Sequence, residues 1–153
     1  MQQDTTTRVD AVLTALLTEF RTLFPTADVL DGPSTADDNR DTVLVVGTSN
    51  DEHGSAYESE QTVEGFAYRP METITVHCEL STWSGNDSSG QAPLRTALVA
   101  DLGQIDLYLR QHPTLSGVCD QAYLGNRFRY FVLQSPDGPG CGVAFDVHAM
   151  ALL

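Results

Sequence analysis

The residues that could do chemistry in this chain fall into three groups. His77 and Cys78 stand side by side, and Cys141 and His148 lie far downstream. Two His and two Cys could make a zinc-ligand set. The stretch Met71–Trp83 (METITVHCELSTW) alternates between apolar and polar residues, however, and reads as a strand. Strand neighbours point to opposite faces, so His77 and Cys78 are poorly placed to share one metal. Cys78 reads better as a small buried hydrophobe. The second group, Asp37, Asp38, Asn39 and Asp41, resembles half of a calcium loop. It lacks the Gly and the closing Glu that such a loop uses. The third group is Asp51, Glu52, Glu58 and Glu60, all in the polar stretch Thr48–Glu60. General acid–base work would require a His or a nucleophile at useful spacing from them, and none accompanies them. No GxxxxGK[ST], GxGxxG, GxSxG or HExxH motif occurs. Trp83, at a strand end, reads as a core or rim aromatic rather than a stacking platform. The expectation is a protein with no catalytic residue, no cofactor and no metal.

The elements that carry these residues are clearer than their chemistry. In Met71–Trp83, Ile74, Val76, Cys78 and Leu80 share one face, while Thr73, Thr75, His77 and Glu79 share the other. Ser84–Gln91 breaks the pattern with Gly, Asn, Asp and Ser. From Ala92 to about His112 the period changes. Leu94, Leu98, Leu102, Ile105 and Leu109 make one apolar stripe of a helix, which His112-Pro113 ends. Upstream, Asp4 to Thr7 offer N-cap candidates for a helix over about Arg8–Phe24, stopped by Pro25. Thr26–Leu30 and Thr42–Gly47 predict short strands, the second buried on both faces. Thr48–Glu60 predicts a long loop, and Gln61–Tyr68 a strand. Leu115–Tyr123 reads as extended. Asn126–Gln134 and Cys141–Leu152 predict two strands joined by a Pro/Gly turn over Ser135–Gly140. In the last, Val143, Phe145, Val147 and Ala149 take one face and Ala144, Asp146 and His148 the other. The whole predicts a single α+β domain over residues 1–153. It has a mixed, mostly antiparallel sheet of about four to six strands, packed by two main helices.

Composition narrows the partners. A chain of 153 residues buries about 68–70% of its unfolded surface, enough for a core without staples. Asp and Glu number 21 against 8 basic residues, all of them Arg, for a net charge of −13. That balance opposes a phosphate-tracking nucleic-acid binder and docking on an anionic membrane. The three Cys are widely spaced and odd in number, which points to reduced cytoplasmic thiols rather than a disulfide framework. The polar N-terminus lacks a signal-peptide pattern, and no apolar run approaches the roughly 18 residues of a spanning helix.

Several segments resemble the tail terminator proteins of long, flexible-tailed bacteriophages, those infecting actinobacteria in particular. Thr7–Leu16 is similar to their first helix, and Asp28–Pro33 to their short V-x-D-G-P strand and turn. Thr42–Gly47 followed by an acidic loop is similar to their second strand. The match is best over Glu72–Gly85, where an alternating strand ends in Trp83-Ser84-Gly85 before the second helix. The terminal alternating strand is also like theirs. Gly125–Gln134 departs from the pattern, because Arg127, Phe128, Arg129, Tyr130 and Phe131 are bulkier. The resemblance covers nearly the whole chain. It implies a structural virion protein without catalytic residues. Such proteins form a hexameric ring on the last ring of tail tube protein, stop tube polymerisation and present the surface for head-to-tail joining. The implied place is the head-proximal end of the virion tail, after assembly in the host cytoplasm. Rival expectations are a head–tail connector or neck protein of the same virion, a small soluble enzyme, and a host acidic binding module.

In such a ring the acidity acquires a use. Six copies at −13 give −78 (6 × −13) around a channel that DNA crosses. An acidic wall offers the phosphate backbone no counterion-release trap. The expected lumen-facing acids are Asp37, Asp38, Asp41, Asp51, Glu52 and Glu58. DNA would pass without specific binding. The competing account of these acids is general solubility.

Overall fold

Two long strands fix the architecture. In the computed structural model, β4 (Met71–Trp83) and β7 (Gly138–Leu152) pair antiparallel from Met71↔Leu152 to Trp83↔Gly140. The chain is described over residues 6–33, 41–49, 54–63, 69–84, 90–135 and 138–153. The remaining elements, in chain order, are α1 (Val9–Leu23), β1 (Asp28–Asp31), β2 (Thr42–Val46) and β3 (Tyr57–Thr62), then α2 (Gln91–Gln111), β5 (Gln121–Leu124) and β6 (Arg129–Ser135). β2 and β3 both flank β4, at its two ends, and β1 extends the sheet beyond β2. β6 and β5 flank β7 in the same divided way. Among the described strand pairs only β1–β2 is parallel, so the sheet is mixed and mostly antiparallel, as expected. Among the described residues it has seven strands, more than the four to six foreseen.

Both helices cover one face. α2 buries Leu94, Leu98, Leu102, Ile105 and Leu109, the stripe read from spacing. α1 buries Val12, Leu16, Leu17 and Phe20, with Val9, Leu13 and Leu23 partly covered. Opposite them, Ile74, Val76, Cys78 and Leu80 of β4 and Val143, Phe145, Val147 and Ala149 of β7 complete one contiguous apolar core. Each of those side chains is worth roughly 1.5–3 kcal/mol when fully buried, except the small Ala149 and Cys78. Burial pushes the Cys78 thiol up to about 12. Among the described residues no helix covers the other sheet face.

Several expected boundaries are corrected. The polar loop foreseen over Thr48–Glu60 is shorter, because Tyr57–Thr62 forms β3 although all six residues are exposed. The backbone of β4 supplies its ladder, and no apolar side chain is required. The strand foreseen over Gln61–Tyr68 therefore starts earlier, and residues 64–68 lie outside the described part. Leu115–Cys119 is turn rather than extended, with Leu115 and Ser116 at positive φ. The turn foreseen over Ser135–Gly140 is narrower, since β7 begins at Gly138. Side chains explain why glycine serves there. A Cβ on Gly140 would lie 2.5 Å from the Trp83 ring, and one on Gly142 2.3 Å from the Phe131 ring. Both aromatics fold across the sheet over a residue with no side chain.

The α1 cap is also corrected. The N-cap residue is Arg8, which makes no side-chain cap. The hydroxyl of Thr7, one of the expected candidates, accepts the Val9 N–H at 3.2 Å, and a further acceptor comes from β4. Glu72, fully buried on the helix-covered face, takes the Arg8 N–H at 2.6 Å and the Thr7 hydroxyl.

Candidate functional site

Among the described residues, the sheet face away from the helices carries a polar node, and the partner switch of the flanking strands creates it. His77 sits where β4 changes neighbour from β2 to β3. Its carbonyl accepts N–H bonds from both Gly47 and Thr48 at 2.9 Å, and its own N–H donates to the Ala56 carbonyl at 3.1 Å. Gly47 makes the exit from β2 with φ of +81°, a conformation that suits glycine. Asp146 sits at the matching switch of β7, between β6 and β5. Its carbonyl accepts the Gly125 N–H at 2.7 Å. A side chain on Gly125 would press on His148 Nε2 at 3.0 Å, so the close approach favours glycine.

Register sets His77 opposite Asp146, and both point away from the core. His77 Nδ1 and Asp146 Oδ1 are 2.6 Å apart, with side chains 6% and 25% exposed. A carboxylate that accepts from Nδ1–H fixes the imidazole tautomer and orientation. Two pairs further along the ladder, on the same face, Thr75 Oγ1 lies 3.0 Å from His148 Nδ1, and the Tyr123 ring tilts against His148. Beside His77 and Asp146 is a cavity of about 70 Å³, also lined by Thr48, Arg127 and Arg129. The node orients the His77 imidazole beside a small, partly polar cavity. Across the face, partial burial raises the Glu79 carboxyl above its usual range.

The residues singled out from sequence distribute as follows. His77 and Cys78 lie on opposite faces, with Cys78 in the core. Among the described residues no cluster of three or more His, Cys, Asp or Glu could hold a metal. Trp83 is a half-buried rim aromatic over Gly140. Of the six expected lumen acids, Asp37, Asp38, Asp51 and Glu52 lie outside the described residues. Asp41 is exposed just before β2, and its carbonyl accepts the Trp83 N–H at 2.8 Å. Glu58 is exposed on β3 opposite Thr75, and accepts a bond from Ser55 Oγ at 2.8 Å. Asp41 is thus level with Trp83 and Glu58 with Thr75, roughly 25 Å apart along β4. The structure does not bring these two together.

Sequence reasoning placed His77 and Asp146 on non-core faces but did not join them. The joining signal is the β4–β7 register, and alternation alone carries no register. Arg127 and Arg129 stood out only as bulky departures, although their spacing of two already puts both on one side of an extended chain. Among the described residues no helix is long and apolar enough to cross a membrane. No family model matches the chain, and no curated protein matches it significantly.

Proposed function

We propose that this chain is a structural virion protein. It forms a ring that caps the tail tube of a long-tailed bacteriophage, stops tube polymerisation and offers the surface for head-to-tail joining. The resemblance of Thr7–Leu16, Asp28–Pro33, Thr42–Gly47 and Glu72–Gly85 supports the family. The observation that carries assembly is the outer edge of β6. That strand pairs with β7 and with no other described strand, yet Tyr130 is 56% and Val132 71% exposed on it. An edge strand bearing apolar residues invites pairing with another chain. The opposite margin of the sheet is formed by β1 and β3, which differ from β6 in sequence and charge. Contact between unlike edges is heterologous and generates a ring where the rotation closes. Six copies is the number the resemblance supplies. The partners are the tail tube protein on one side and connector or neck proteins on the other, with DNA crossing the lumen unbound.

Electron microscopy of assembled tails with the chain labelled tests the reading. The expected result is a six-fold ring at the head-proximal end of the tube. A two-fold dimer through β6, or a position in the neck away from the tube, overturns it; the latter would assign a connector role. The oriented His77 favours a second reading, a small enzyme. Turnover of a small molecule that disappears in His77→Asn, with the fold intact, would favour it.

A further inference from the structure

We infer that the outer edge of β6 takes β3 of a second copy as an added antiparallel strand, with Val132 opposite Ser59. The pairing specifies the contact in the ring proposed above and rests on that reading. Strand direction favours it. β6 and β4 are both antiparallel to β7, and β3 is antiparallel to β4, so β6 and β3 run in opposite senses within one chain. A neighbour that continues the sheet in the same sense therefore brings its β3 antiparallel to β6. The lengths agree as well, with six residues in β3 and seven in β6. All six β3 residues are exposed, and among the described residues the strand pairs with β4 alone. Its outer N–H and C=O groups are a template for a further strand.

Side-chain phase limits the register to steps of two. Tyr130 and Val132 pair with Val143 and Cys141, so they stand on the helix-covered side of the sheet, yet both are exposed. Tyr57 and Ser59 pair with Val76 and Ile74 and stand on that same side. Joining the edges with like faces together sets Tyr130 opposite Gln61, Val132 opposite Ser59 and Gln134 opposite Tyr57, the alignment of fullest overlap. One step beyond β3, the exposed Val63 comes opposite Phe128, which packs on the core in a groove with Val99 and Gly103 of α2. A Cβ on Gly103 would meet nothing within 4 Å, so the groove has room for an incoming side chain.

The rival pairings are less favourable. Two β3 strands joined about a two-fold axis set Glu58 against Glu60, or Glu60 against its own copy, and like charges directly opposite destabilise. β6 holds no acid. β1 has only four residues, and Arg21 already donates to its Val29 carbonyl at 3.4 Å.

The test mixes Ser59→Cys and Val132→Cys proteins, each the full chain, under mild oxidation and reads disulfide-linked products on a non-reducing gel. Opposed residues of an antiparallel pair lie about 4.5–5.5 Å apart at Cα, within reach of a disulfide. Cys78, Cys119 and Cys141 are buried, so the parent chain gives the background. The mixed variants should link at least tenfold faster than either alone, and than Ser59→Cys mixed with Thr18→Cys, an exposed site on α1. Sedimentation of the same samples reads ring closure. A ring that forms without the mixed link overturns this contact and leaves the ring standing. A mixed link confined to open chains of copies keeps the contact and overturns the ring. Val132→Cys linking to itself, or a chain that stays monomeric at every concentration, overturns both. All three substitutions fall at exposed positions, and a melting curve for each separates lost contact from lost fold.

Discussion

The carboxylate of Glu72 and the backbone N–H of Arg8 meet at 2.6 Å across 64 positions of sequence. A helix start leaves its first N–H groups without partners, and its dipole end favours an anion. Here a strand in the sheet provides the acceptor, so α1 is tied to β4 by its cap as well as by its apolar stripe. Glu72→Ala leaves part-buried donors without their acceptor and should cost roughly 1–2 kcal/mol, a fall in Tm of about 2–8 °C. Glu72→Gln keeps one acceptor and should lose less. Thermal melts of both variants check this; equal stability of Glu72→Ala and the parent would show that the bond contributes nothing.

The core stripe and the β6 edge should fail in different ways. Leu102 lies in the α2 stripe, almost fully covered. Leu102→Asp buries an unpaired charge and should cost about 4 kcal/mol or more, a large part of a domain's stability. Val132→Asp places its charge on an exposed edge and should leave the melt within about 0.5 kcal/mol of the parent while abolishing assembly. Circular dichroism melts and sedimentation of the two variants read fold and assembly separately. A cooperative, well-folded Leu102→Asp protein would mean that the stripe faces solvent or a partner.

Glu79 carries a pH dependence whose sign can be worked out. Burial raises its carboxyl in the folded chain above the ordinary value. The folded state then binds the proton more tightly than the unfolded state, so stability falls as pH rises from the ordinary value through the raised one. Glu79→Gln removes that penalty. It should melt higher than the parent at pH 7, and the gap should close below about pH 4, where both states are protonated. A constant gap across that range would point to packing rather than ionisation.

If the proposed ring forms with the expected acids toward its lumen, a functional prediction follows. Replacing Asp41 and Glu58 by Lys should leave ring assembly intact and slow DNA ejection, more at low salt than at high, because screening weakens the new phosphate contacts. Phage carrying the double variant, assayed for ejection at two ionic strengths, supply the comparison. Ejection unchanged at low salt leaves solubility as the account of the acids.

What the sequence made legible was local. The bounds of β4 and the stripe of α2 follow from periods of two and 3.6 over long segments. β3 was hidden because Tyr57–Thr62 is exposed at every position and its strand character lies in the ladder with β4. The start of β7 was hidden because Gly138, Pro139 and Gly140 have turn chemistry. Backbone pairing makes a strand of them, Gly138 and Pro139 with Ser135 and Gln134 of β6 and Gly140 also with Trp83, more than fifty residues away. The Glu72 cap and the His77–Asp146 node were hidden for the same reason. Both are products of register between distant segments, and no local pattern encodes register.

The thirteen-pair ladder between β4 and β7 also sets an order of events during synthesis. β7 begins 55 residues after β4 ends (138 − 83). At about 5–20 residues per second, β4 waits roughly 3–11 s for its main partner to be translated. During that interval α2 can cover the apolar side of β4, but the hydrogen-bonding edge toward β7 stays open. Closing so long a loop is slow compared with local helix formation. A nascent chain stalled after α2 therefore presents a thirteen-residue template to any other nascent copy on the same message. Polysome spacing then becomes a determinant of how much of this protein reaches its own fold.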